Sequence, residues 1–151
     1  MKNIRQKVFE TNSSSTHSIS ISNVTNGVYD TIIPDKKGNI YLTGGEFGWE
    51  EESYTDPTIK AIYCAIDIKA DIADTSTQVN KHKKMLTKVI CEHTGAKKVI
   101  FDFSTDYNAK KYSYIDHQSE GTSLEAFASE KALKDFIFGP ESVLTTDNDN
   151  H

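Results

Sequence analysis

The run Glu10-Thr11-Asn12-Ser13-Ser14-Ser15-Thr16-His17-Ser18 crowds hydroxyl and amide side chains beside one imidazole. Such a run makes a poor strand and a poor core. Asn12, Ser13, Ser14, Ser15 and Thr16 can instead present many donors to an oxyanion. A turn of consecutive backbone amides forms an anion-binding concavity, and hydroxyls extend it. The run holds no glycine and no lysine follows it, so it departs from the glycine-rich phosphate loops. The plainer alternative is that these side chains satisfy their own backbone, as Ser and Asn often do. His17 could act as a general base or as a donor to phosphate. His17-Ser18-Ile19 misses the His-x-Ser/Thr unit of double-histidine phosphoesterases, because Ile19 occupies the hydroxyl position.

A second polar block is Asp116-His117-Gln118-Ser119. Asp116 and His117 would face opposite sides of a regular strand, so both serve one site only at a bend or strand end. There they could be acid and base, metal ligands or donors to a ligand. Trp49, with Glu46, Glu50, Glu51 and Glu52 around it, could stack on a base or a sugar, or could simply be solvated loop. His82 and His93 lie about three helical turns apart. They read as one stripe at a core edge, since the i, i+4 spacing of helical metal sites is absent. Cys64 and Cys91 show no Cys-x-x-Cys or zinc spacing and read as reduced core residues.

These residues must be positioned by the elements around them. Ile4 to Phe9 reads as a strand, and the hydroxyl run as the loop after it. His17 to Ser22 alternates, with His17, Ile19 and Ile21 on one face. Asn26-Gly27 signals a turn. Val28–Ile33 and Asn39–Thr43 read as a hairpin around Pro34-Asp35-Lys36-Lys37-Gly38. Gly44 to Glu52 reads as a flexible loop. Asp56-Pro57-Thr58 starts a helix whose far end, Ile66 to Ile72, is ambiguous. Thr77 to His93 is a clearer helix with Val79, Leu86, Val89 and Ile90 as its apolar stripe, closed by Gly95. Lys81, Lys83, Lys84 and Lys88 clothe its other side. Val99, Phe101 and Phe103 alternate as a strand, with Lys111 to His117 expected as its hairpin partner. Ser129 caps a short helix stopped by Gly139-Pro140, and Val143-Leu144-Thr145 reads as a last strand.

The expected fold is therefore α+β: a single domain over residues 1–151, mostly antiparallel sheet, with two main helices and a short C-terminal helix. A polar tail begins at about residue 146. A chain of 151 residues can bury a real core. Its 36% hydrophobic, 26% charged and 10% aromatic content argues against wholesale disorder. The net charge of -5 argues against DNA or RNA as partner. Met1-Lys2-Asn3-Ile4-Arg5 leads into no apolar stretch, and no run approaches a membrane span. A cytoplasmic protein with no membrane partner is expected.

Val8-Phe9-Glu10-Thr11-Asn12-Ser13-Ser14-Ser15-Thr16-His17-Ser18 resembles the N-terminal signature of a group of small bacteriophage and bacterial proteins. Tyr114 to Ser119 resembles a second block of that group, and Leu133 to Phe138 with Thr146 to Asn150 a closing one. The group carries no assigned activity, so the resemblance implies a phage origin alone. In that setting the host cytoplasm is the expected location, and counter-defence by sequestering a nucleotide signal is a plausible class of role.

The expected function is binding of a phosphorylated small ligand, a nucleotide, without a cofactor or metal. Asn12 to Thr16 would hold the phosphate, with His17, Asp116, His117 and Gln118 completing the pocket and Trp49 stacking on the base. A homo-oligomer would enclose such a ligand well. Turnover is left open: His17 and His117 could serve a phosphodiesterase or transferase as acid and base. A third reading is an inhibitor that clamps a protein partner through Glu50-Glu51-Glu52 or the lysine face of the second helix.

Overall fold

The structure, a computed structural model, describes residues 18–21, 32–71, 74–115 and 122–147. Its elements are β1 (Ser18–Ser20), β2 (Asn39–Thr43), β3 (Glu46–Phe47), β4 (Glu52–Tyr54), α1 (Pro57–Asp67), α2 (Thr77–Thr94), β5 (Lys98–Asp102) and β6 (Tyr114–Ile115), then a 3-10 helix (Thr122–Ala128), α3 (Glu130–Phe138) and β7 (Val143–Thr146). This is an α+β fold.

Each helix begins where a short polar side chain can take up an orphan amide. Asp56 Oδ1 accepts from Thr58 N at 2.7 Å ahead of α1, and Pro57 occupies the first turn, where no amide is needed. Ser76 Oγ accepts from Val79 N at 3.3 Å, and Ser129 Oγ accepts from Ala132 N at 3.0 Å. Gly95 closes α2 in the left-handed region, φ 78°, with its N–H on Cys91 O. The ambiguous end of α1 resolves as a helix stop: Lys69 turns left-handed at φ 60°, and Ala70 N reaches back to Ala65 O at 2.9 Å.

The strands form three small sheets. β1, β7 and β4 make an antiparallel sheet with β7 in the middle. β2 pairs parallel with β5, Tyr41 opposite Ile100, and β3 pairs parallel with β6, Glu46 opposite Tyr114. Two expectations are corrected here. The Gly44 to Glu52 stretch is not all loop, because it contributes β3 and begins β4. The segment after β5 does not return as its hairpin partner: β5 takes β2, and β6 takes β3. Parallel pairing needs a long crossover, and the segment holding α1 and α2 supplies it. Of the expected hairpin arm Val28–Ile33, Ile32 and Ile33 precede β2 without strand pairing, and residues 28–31 lie outside the described residues.

Gly44 and Gly45 separate β2 from β3. A Cβ on Gly44 would collide with Ser113 Oγ on the neighbouring segment, so one of the two would have to shift. The core lies between the helices and the sheets. Ile19, Leu42, Tyr63, Leu86, Ile90, Leu133, Phe136, Ile137 and Leu144 are fully buried in it. Cys64 is buried and Cys91 half-buried, both as free thiols. Lys60, on α1, is buried in the same core; its ammonium donates to Ser142 O at 3.1 Å and sits over the Phe136 ring. Among the described residues no helix is long and apolar enough to cross a membrane.

Candidate functional site

Of the ten residues expected at the site, Trp49 is described. Asn12, Ser13, Ser14, Ser15, Thr16, His17, Asp116, His117 and Gln118 lie outside the described residues. What the structure gathers around Trp49 is a row of aromatic rings. The indole lies 5.5 Å from the Tyr114 ring, centroid to centroid. Tyr114 stacks on Tyr112 at 5.9 Å, and Tyr112 meets Tyr107 edge-on at 5.5 Å.

The row follows from strand geometry. β3 and β6 run parallel, so Phe47 and Ile115 share one face while Glu46 and Tyr114 share the other. Phe47 turns inward, where its ring packs edge-on against Tyr63 at 5.2 Å and Tyr54 at 5.6 Å. Tyr114 is thereby directed outward. Tyr112, two residues earlier, falls on the same face, and Ser113 between them is buried. Gly48, at φ 95°, makes the turn after β3 that brings Trp49 beside Tyr114. Tyr107 stands on a turn closed by Asp106, which accepts from Asn108 N and Ala109 N. The ends of the row are open: Trp49 is 53% exposed and Tyr107 81% exposed.

The electrostatics around the row are mixed. Desolvation raises the Tyr112 phenol above its ordinary value, and the neighbouring Tyr114, Glu46 and Tyr107 add to this. Lys111 is ion-paired with Asp102, and Lys110 beside it is exposed. Glu50, Glu51 and Glu52 are exposed next to Trp49. A long polyanion is disfavoured at such a surface, whereas a planar ring can stack on indole or phenol.

Tyr107, Tyr112 and Tyr114 were not among the residues expected from sequence. The available signal was the alternation Tyr112-Ser113-Tyr114, which sets two rings on one face of any strand. The histidines of α2 do different work from a ligand-binding pair. His82 packs on Phe127 at 4.7 Å and His93 stacks on Phe138 at 3.8 Å. Burial, with Lys81 beside it, lowers the His82 pKa. Among the described residues no group of three His, Cys, Asp or Glu side chains could hold a metal ion.

The geometry offers stacking surface and hydrogen-bonding phenols, with no acid-base pair among the described residues of the row. Compared with family models, curated proteins and solved structures, the chain matches none.

Proposed function

We propose that this chain is a binding protein that sequesters a nucleotide, stacking its base at the Trp49 end of the aromatic row. The row Trp49–Tyr114–Tyr112–Tyr107 is the observation that carries the reading, because a half-exposed indole beside a stack of phenols is a ready surface for a planar ring. The hydroxyl-rich run Asn12 to Thr16, with His17, would take the phosphate. Asp116 is the next residue in the chain after β6, and Asp116, His117 and Gln118 would complete the pocket beside Tyr114. The acidic surroundings and the net charge of -5 favour a single nucleotide over a nucleic acid strand. In a phage setting, which the resemblance implies, removal of a host nucleotide signal would be a counter-defence role by class-level analogy.

Trp49 is the chain's one tryptophan, so its fluorescence reports the site directly. Titration with mono-, di- and cyclic nucleotides is expected to quench it saturably for at least one ligand, with that ligand recovered unchanged by chromatography. Tyr114→Ala is expected to weaken binding by the ~1–3 kcal/mol of one base–aromatic stack, roughly 5- to 150-fold. The same ligand should raise the unfolding midpoint, by about 2.7 kcal/mol of stabilisation at a hundredfold excess over its Kd. Chemically altered nucleotide would replace this reading with an enzymatic one. No quenching across the panel would end it.

A further inference from the structure

A groove of about 680 Å³ runs between α2 and β5, on residues the aromatic row does not use. One wall is Asn80, Lys83, Lys84, Thr87 and Lys88, the i, i+3, i+4, i+7, i+8 face of α2. The other wall is Lys98, Val99, Ile100 and Phe101, four consecutive residues of β5. Alternate strand residues point to opposite faces, so four in succession line one groove along the strand's edge. Among the described residues β5 pairs with β2 alone, on one edge. The walls therefore combine an unpaired strand edge, an apolar floor and four ammonium groups. Lys83 lies over the Phe101 ring at 5.0 Å, and Lys88 reaches Glu130 at 3.0 Å. Lys84 and Lys98 are exposed and have no ion-pair partner among the described residues.

We propose that this groove binds an extended acidic peptide segment of a partner protein. The segment adds alongside β5, with main-chain hydrogen bonds giving affinity and its carboxylates facing Lys83, Lys84 and Lys98. Charge complementarity selects the occupant: Lys83, Lys84 and Lys98 gather here with no carboxylate partner among the described residues, on a chain whose net charge is -5. Dimensions agree, since four strand residues span about 13 Å and the nine helical residues from Asn80 to Lys88 about 13.5 Å. An extended segment of about four residues fits that length. A nucleic acid would meet the same lysines but has no peptide backbone with which to extend the β ladder.

The test uses a fluorescein-labelled hexapeptide of alternating glutamate and valine, titrated with the full chain and read by anisotropy. Saturable binding is expected, weakening as salt rises. The double variant Lys84→Glu, Lys98→Glu is expected to bind at least tenfold more weakly, with an unchanged circular dichroism spectrum because both side chains are exposed. The same peptide N-methylated at alternate amides is expected to lose at least tenfold with the unaltered protein, a control that no folding defect can mimic. No saturable binding would overturn the proposal. Equal binding of the methylated peptide, or tighter binding of an oligothymidylate of equal charge, would overturn it as well.

Discussion

Lys60 shows how a single residue can set the pH behaviour of the whole chain. Its ammonium is fully buried, and desolvation lowers its pKa to about 8, with Cys64 and Asp56 as the facing groups that oppose the shift. The unfolded chain keeps an ordinary lysine near pH 10.4. Below pH 8 the group is protonated in both states, and the folded state carries the full cost of burying the charge. Between pH 8 and about 10 the folded state binds fewer protons than the unfolded one, so stability from this group rises with pH. The Cys64 thiol, raised by burial, works in the opposite direction over the same range. Comparison with Lys60→Met cancels that contribution. The variant is expected to gain on the unaltered chain at pH 7, with the gap closing by on the order of 2 kcal/mol by pH 10 in denaturant titrations. A gap independent of pH would mean that Lys60 reaches water. None of this was legible in sequence, where Lys60 sits in the same kind of amphipathic helix pattern as any solvated lysine. Trp49 was singled out in sequence as a candidate for stacking on a base, and the structure sets its ring 5.5 Å from that of Tyr114. Tyr107, Tyr112 and Tyr114 were not, because their alignment depends on which strands pair.

At the scale of elements, local chemistry read well and partnership did not. Asp56, Ser129 and Gly95 were legible as helix ends because a cap is decided within four residues; Ser76, which caps α2, was not singled out. The hairpin expected after β5 failed because adjacency in sequence favours antiparallel return, whereas β5 and β6 take partners from the far side of two helices. The joint between β3 and β6 makes this pairing testable. Gly44 faces Ser113, whose buried hydroxyl has no hydrogen-bond partner among the described residues. Gly44→Ala is expected to cost roughly 1–3 kcal/mol, in the range of overpacked interiors. Ser113→Ala alone should be near neutral, since it removes an unsatisfied hydroxyl. The double variant should recover most of the loss, giving a coupling well above the ~0.5 kcal/mol of independent sites in chemical denaturation. Additive effects would mean that the two segments do not meet.

At the scale of the molecule, the charge layout separates two surfaces. Glu50, Glu51 and Glu52 flank the aromatic row, while Lys83, Lys84, Lys88 and Lys98 line the groove between α2 and β5. Net charge alone, read from composition, argued against a DNA or RNA partner; the distribution reveals a local cationic groove that the average conceals. The two free thiols add a consequence of a different kind. Cys64 is sealed in the core, whereas Cys91 on α2 is half-buried. The chain thus carries two internal clocks. An aromatic disulfide reagent should modify Cys91 first, slowed because partial burial raises its thiol pKa, and reach Cys64 only when α1 leaves the core, at a rate set by the free energy of opening. A ligand that stabilises the folded chain should slow the second clock and leave the first almost untouched, so one sample reports both surface access and global opening without a label or a substitution.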